Sequence, residues 1–187
     1  IYLWNISEIL KTMQVNKTPF DGLIIYKTKN FNDYRGFFRE LYSEKHFKKK
    51  FIFEYLSLSK KNVIRGLHLQ LKNPQGKLIT VMHGKIFDIA LDCRKNSKTF
   101  GKFYKIILSA NTNKSLYIPE GFAHGFCSLT KDSILHYKCT KYRDKNSEYT
   151  IRWNDKDLKI KWPTNNPILS KKDRNGNYFH EFKNKIF

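Results

Sequence analysis

Arg65-Gly66-Leu67-His68-Leu69-Gln70, followed closely by Gln75-Gly76-Lys77, gathers an arginine, a histidine and a lysine within about one strand, one turn and the next strand. A second histidine-bearing segment reads Ile118-Pro119-Glu120-Gly121-Phe122-Ala123-His124-Gly125-Phe126. Two such segments, on strands facing one cavity, point to an active site rather than a surface. A neutral imidazole suits proton abstraction near neutral pH. Cations such as Arg65 and Lys77 suit a phosphate and a developing oxyanion. An isolated histidine in a strand is ordinarily a packed core residue. The arginine, glutamine and lysine on the same short hairpin reverse that reading for His68.

Metal chemistry is the first alternative. Barrel metal sites of the cupin type need two histidines one residue apart, a nearby carboxylate and a further histidine. Here the first pair becomes His68-Leu69-Gln70, and Lys77 stands where a glutamate would be expected. A protonated lysine repels a cation, so no metal is expected even with His124 available.

The elements that must position these residues are short strands. The sequence predicts them at Leu23–Tyr26, Phe37–Tyr42, Phe51–Ser59, Val63–Gln70, Lys77–His83, Lys85–Asp92, Lys102–Leu108, Lys114–Ile118, Gly125–Ser128 and Ser133–Tyr142. They are β-branched or aromatic, and Phe51–Ser59 alternates with period two. Asp33–Gly36 and His83-Gly84-Lys85 read as tight turns. Ser7–Gln14 reads as a short helix, with Ile6, Ile9, Leu10 and Met13 on one face. Glu44–Lys50 reads as a helical turn, and the tail as loops with short helical turns. Many short strands with frequent turns predict an all-β barrel or double-sheet jelly roll. At 187 residues, one domain is expected, residues 1–187, with an N-terminal extension over 1–19 and a C-terminal tail over 164–187.

Composition narrows the function classes. A net charge of +20 invites a nucleic-acid reading. Yet only seven of the 36 basic residues are arginine, and the lysines are scattered among many asparagines and isoleucines. That pattern fits a lysine-rich proteome better than a phosphate track, and Lys48-Lys49-Lys50 reads as a solvated loop. No nucleic-acid partner is expected, although the positive field would attract a diphosphate. No apolar run approaches the ~18 residues of a membrane span. Ile1 to Lys11 lacks the basic start and small-residue cleavage site of a signal peptide. Cys93, Cys127 and Cys139 form no CxxC pair and sit in apolar runs. Buried free thiols and a cytoplasmic setting are expected.

Several segments together resemble the dTDP-4-dehydrorhamnose 3,5-epimerase family. They are Arg35–Glu40, Arg65–Lys77, Phe87–Arg94, Ser97–Gly101, Ile118–Phe126, Tyr137–Thr140, Ile151–Asp155 and Pro167–Asp173, in the family's order over about residues 20–175. The resemblance implies a cupin-like jelly-roll barrel, a homodimer, no metal and no cofactor. It implies a nucleotide-linked 4-keto-6-deoxy sugar as substrate, epimerised at C3, C5 or both, for surface polysaccharide synthesis. It assigns His68 as the base, Asp173 as its orienting partner, Tyr137 as the acid on the opposite face and Lys77 as the enolate stabiliser. It places Arg35, Glu40, Arg65, His124, Glu148 and Lys172 at substrate-contacting positions.

The chain departs from the family at two places. Leu69 stands where the family usually has tyrosine after the base. Phe53-Glu54-Tyr55-Leu56-Ser57 stands where a polar Gln-Asp-Asn-His-Ser-like run is common. The second departure leaves the nucleotide and the sugar open. The first 18 or so residues lie outside the family's usual start and are expected to dress a dimer interface or add a strand. A 3,4-ketoisomerase on the same fold pairs its first histidine with another two positions on, and Gln70 speaks against it. A non-catalytic sugar-nucleotide-binding jelly roll would have no need of His68, Lys77, Tyr137 and Asp173 together.

Overall fold

The computed structural model describes residues 13–47 and 49–186. The strands are β1 (Met13–Lys17), β2 (Ile24–Thr28), β3 (Phe31–Asp33), β4 (Gly36–Phe38), β5 (Phe53–Lys60), β6 (Ile64–Gln70), β7 (Lys77–His83), β8 (Lys85–Asp92), β9 (Phe103–Ser109), β10 (Lys114–Ile118), β11 (Phe122–Ser128), β12 (Asp132–Cys139) and β13 (Glu148–Thr150). Two short helices close the chain, α1 (Lys171–Arg174) and α2 (Phe179–Ile186).

The strands form two antiparallel sheets and a detached hairpin. One sheet has six strands in the order β1-β2-β10-β7-β12-β5, and the other has five in the order β13-β6-β11-β8-β9. This is the jelly roll that the sequence predicts. Among the described residues, β3 and β4 pair only with each other.

Two cores follow from the faces of the five-stranded sheet. Between the sheets lie Ile79, Val81, Ile86, Ala90, Leu116, Phe126 and Leu135. On the sheet's far side, Leu67, Leu69, Ile89 and Leu91 pack against Leu158, Ile160, Phe179 and Phe182 of the tail. Both faces are therefore covered, which explains why β11 is buried at every position. β12 alternates strictly instead, with Ser133, Leu135, Tyr137 and Cys139 buried and the residues between them partly exposed. The three cysteines are free and buried, and burial pushes the Cys127 and Cys139 thiols up to about 11.

The structure corrects several sequence expectations. Most of the expected Ser7–Gln14 helix lies outside the described residues, but Met13 and Gln14 belong to β1, paired with Thr28 and Lys27 of β2. The N-terminal extension thus adds an edge strand, and pairing overrides helical spacing. The expected strand over 37–42 ends at Phe38. The expected strand over 133–142 ends at Cys139, and β13 follows where no strand was expected. The tail's helical turns are α1 and α2, and the helical turn after Glu44 is a single 3-10 turn, Glu44–His46.

Candidate active site

A cavity of about 440 Å³ opens between the two sheets, within the range of small-molecule sites. Strand parity decides which side chains reach it. On β6, His68 and Gln70 face inward, while Leu67 and Leu69 pack into the outer core, Leu69 also touching the cavity's edge. β11 lies beside β6 with His124 directly opposite His68. The register then slips, so that Phe126 pairs with Arg65 rather than with the residue two positions before His68. This bulge adds one residue to β6 and brings Arg65 to the cavity side. Gly66 makes the bulge possible. Its φ is +123°, and a Cβ there would stand 2.5 Å from the Gly125 Cα. Arg65 is then fixed by donating to the Ser59 hydroxyl at 2.9 Å and the Leu58 carbonyl at 3.1 Å.

His68 meets Asp173 across more than a hundred residues of sequence. Ser170 caps α1 by accepting from the Asp173 amide at 3.1 Å. The Ser170 hydroxyl donates back to Asp173 Oδ2 at 2.6 Å, and the Gly66 amide donates to Oδ1 at 3.2 Å. His68 Nε2 lies 2.5 Å from the same Oδ1. Burial alone would raise the Asp173 pKa, but the donors from His68, Ser170 and Gly66 outweigh it and hold it below the ordinary value. Asp173 is therefore a carboxylate that accepts from Nε2–H, leaving the lone pair on His68 Nδ1. Burial, with Lys172 and Lys77 nearby, pushes His68 below its ordinary 6.5 against the opposing pull of Asp173. The ring is neutral at pH 7, as a base must be.

The facing wall comes from the six-stranded sheet. Tyr137 on β12 is buried, and burial pushes its phenol well above the ordinary 10, so it keeps its proton. Lys77 on β7 pairs in register with Cys139. No carboxylate among the described residues forms an ion pair with it. Burial first of all pulls its pKa below 10.5. Tyr55 of β5 sits directly across from Tyr137, with ring centroids 4.4 Å apart and planes 14° apart.

At the cavity rim, Glu148 of β13 binds Arg143 Nε at 2.5 Å and Lys172 Nζ at 2.5 Å. Burial pushes Glu148 up, but these two partners prevail and hold it down at about 2. Deeper in, His124 Nε2 lies 2.8 Å from Asp88 Oδ2. Asp88 Oδ1 is buried and has no hydrogen-bond partner among the described residues.

Eight of the ten residues expected at the site thus line one cavity: His68, Asp173, Tyr137, Lys77, Arg65, His124, Glu148 and Lys172. Arg35 and Glu40 do not. Arg35 sits in the detached β3–β4 hairpin, with its guanidinium 2.6 Å from Asp33 and largely exposed. Glu40 follows that hairpin and lies 3.8 Å from His46. Sequence reading missed Asp88, Arg143 and Ser170 as supporting groups. A lone carboxylate inside the apolar strand Phe87-Asp88-Ile89 was the available signal for Asp88. Among the described residues, no three metal-ligating side chains cluster.

Comparison with known proteins agrees with this geometry. Residues 17–181 match the family model described as dTDP-4-dehydrorhamnose 3,5-epimerase. A protein of that name from Shigella flexneri is 45% identical over 174 residues, covering 89% of this chain and 96% of its own. The crystal structure of a Bacillus anthracis dTDP-4-dehydrorhamnose 3,5-epimerase with TDP and PPi bound is 40% identical. It superposes with a TM-score of 0.87 over 89% of this chain and 99% of its own. A Legionella pneumophila dTDP-6-deoxy-D-glucose-3,5-epimerase in complex with dTDP-4-keto-L-rhamnose is 38% identical, with a TM-score of 0.87 over 90% of this chain and 93% of its own.

Proposed function

The chain belongs to the dTDP-4-dehydrorhamnose 3,5-epimerase family, and on that premise we propose how its cavity epimerises a nucleotide-linked 4-keto-6-deoxy sugar. It is an isomerase of the carbohydrate-epimerase kind. The C4 ketone acidifies the hydrogens at C3 and C5. His68 Nδ1 removes one of them, and the electron pair moves onto the C4 oxygen as an enolate. Lys77 faces that oxygen as a cation. In other enzymes a single oxyanion donor is worth roughly 3–4 kcal/mol. Tyr137 gives its phenolic proton to the same carbon from the other face, inverting it; Tyr137 then recovers a proton from solvent and His68 releases its own to solvent, restoring both groups. Asp173 holds His68 in the tautomer that makes Nδ1 the base. Arg65, His124 and Lys172 bind the substrate, with the cations taking the diphosphate and Glu148 tethering Lys172.

The observation that carries this reading is the placement of the two proton carriers. His68 stands on the five-stranded sheet, with Asp173 brought to it by α1, and Tyr137 stands on the six-stranded sheet across the cavity. A ketoisomerase is not favoured. Gln70 occupies the position of its second histidine, and the Gln70 amide is engaged with Asn73 and Asp144 of the neighbouring loops.

Arg35 and Glu40 complete the site in a homodimer, where the β3–β4 hairpin of one copy reaches the cavity of the other. Its exposed Tyr34, Phe37 and Phe38 supply apolar surface for that contact. The physiological product serves a surface polysaccharide, and the buried free thiols suit a reducing cytoplasm. Incubation with dTDP-4-keto-6-deoxyglucose in D₂O, followed by proton NMR, tests the chemistry. Loss of the C3 and C5 proton signals, abolished by His68→Ala, is expected. A folded protein that exchanges neither proton would overturn the assignment.

A further inference from the structure

The one segment that departs from the family's polar run is also the segment that touches the acid. β5 and β12 pair antiparallel, with Tyr55 opposite Tyr137, Phe53 opposite Cys139 and Ser57 opposite Leu135. Directly opposed residues on one face of a sheet are the closest side-chain neighbours that sheet offers. Here that proximity yields a near-parallel stack of two phenol rings, 4.4 Å apart and inclined by 14°. The Tyr137 ring has the His124 ring edge-on nearby, with centroids 6.3 Å apart and an angle of 67°. Tyr55 is braced in turn by Phe53 at 5.7 Å, and Phe53 by Tyr142 at 6.0 Å. A continuous aromatic row therefore runs from the exposed Tyr142 at the rim to the buried His124.

The row has a mechanical consequence. A tyrosine that returns a proton to one face of an enolate must hold its hydroxyl within hydrogen-bond reach of one carbon. Rotation of Tyr137 toward the cavity is opposed by the Tyr55 ring lying flat against it. Tyr55 itself is 38% exposed and lines the cavity mouth, so it is no part of the closed core. Its hydroxyl lies beside the Cys139 thiol.

We propose that Tyr55 is a positioning residue that holds Tyr137 in line for proton return, and so sets how often deprotonation ends in inversion. This rests on the epimerase reading above and deepens it. The enolate has two fates. If Tyr137 delivers its proton from the far face, the carbon inverts. If Tyr137 is displaced, the His68 imidazolium returns a proton to the face it came from, and the configuration is kept. In D₂O that imidazolium exchanges its proton with solvent, so the second fate appears as deuterium uptake without inversion. A residue that only supports the fold would change both fates together. A residue that positions Tyr137 changes their ratio.

The test measures deuterium uptake at C3 and C5 by NMR and the inverted fraction after borohydride reduction, for wild type, Tyr55→Leu and Tyr55→Phe. Tyr55→Leu is expected to keep uptake within about threefold of wild type while inversion per deuterium incorporated falls about tenfold. Tyr55→Phe keeps the ring and is expected to preserve both. Tyr55→Met carries the same expectation as Tyr55→Leu and replaces it if the leucine variant does not fold. Parallel loss of uptake and inversion in the leucine or methionine variant, with dTDP binding intact, overturns the proposal. An unchanged ratio in these variants, or the same split in Tyr55→Phe, also overturns it, because the stack would then not be the cause. Absence of uptake in wild type would overturn the epimerase reading itself, a result distinct from all of these.

Discussion

Two histidine–aspartate pairs have their histidines on the same sheet, facing each other across β6 and β11; Asp88 belongs to that sheet and Asp173 to α1. In one, Asp173 has three donors and both oxygens engaged, while the His68 side chain keeps 32% of its surface exposed. In the other, the His124 side chain is 6% exposed, Asp88 is fully buried, and Asp88 Oδ1 has no hydrogen-bond partner among the described residues. The chemical pair is the same and the surroundings differ. A base must be neutral, oriented and reachable. The first pair meets all three conditions, and the second meets the orientation condition in a nearly closed space. In the proposed mechanism the His124–Asp88 pair accordingly serves substrate placement and fold stability, and the His68–Asp173 pair serves proton transfer.

Mutation should separate the two pairs most sharply at the bases. His68→Asn is expected to lower proton exchange by about 10²–10⁴-fold, the usual contribution of a positioned base, with little change in melting temperature. His124→Asn should cost far less in exchange and show mainly as a raised KM. A steady-state comparison checks both, and equal losses in kcat would erase the distinction. The aspartates come next. Asp173→Asn offers an amide where Nε2 needs an acceptor and is expected to lower kcat by on the order of a hundredfold, through the wrong tautomer. Asp88→Ala leaves a buried imidazole N–H unpaired, at about 1–3 kcal/mol. Its signature is a melting temperature lowered by roughly 2–12 °C, measured by calorimetry.

The pH profile reads the first pair directly. Because burial lowers His68 below 6.5, activity should rise as pH increases through a value under 6.5, with the base charged and inactive below it. On the alkaline side Lys77, lowered from 10.5, loses its charge first, while Tyr137 keeps its proton well above 10. The alkaline limb should therefore begin below 10.5 and shift in Lys77→Arg. An acid limb above 6.5 in kcat/KM would assign it to a group other than His68.

Much of this comparison was legible in the sequence, and the reasons differ by residue. β7, β8 and β10 begin and end where the sequence predicts, because Gly76, Gly84 and Asn113 mark the turns around apolar runs. The His68 constellation stood out because polar groups are rare in such runs. Asp173 came only through the family resemblance, since nothing local announces that α1 folds back onto β6. Asp88 was missed because β8 reads as one apolar strand. β13 was missed because three residues in a lysine- and asparagine-rich stretch carry no period. Arg35 and Glu40, expected at the site, lie outside the cavity of their own copy, and the sequence of a two-stranded hairpin says nothing about which cavity it adjoins.

The smallest expected effect concerns the rim, where a third carboxylate contrasts with both aspartates. Glu148 has two cationic partners and no imidazole, and its pKa falls from 4.5 to about 2. A carboxylate depressed on folding contributes stability that is present above its unfolded value and lost as pH falls toward its folded one. The window is therefore between about 4.5 and 2. Glu148→Gln should flatten the acid side of the stability curve in that window and leave stability at pH 7 only slightly lower, because Arg143 and Lys172 are both about half exposed. The same substitution releases two cations at the cavity mouth, so diphosphate affinity should rise by a small factor that salt screens. Calorimetric titration with dTDP at low and high salt checks this. Weaker binding at both would mean that Glu148 holds Arg143 and Lys172 in the geometry the diphosphate needs, and that the rim is preorganised rather than merely neutralised.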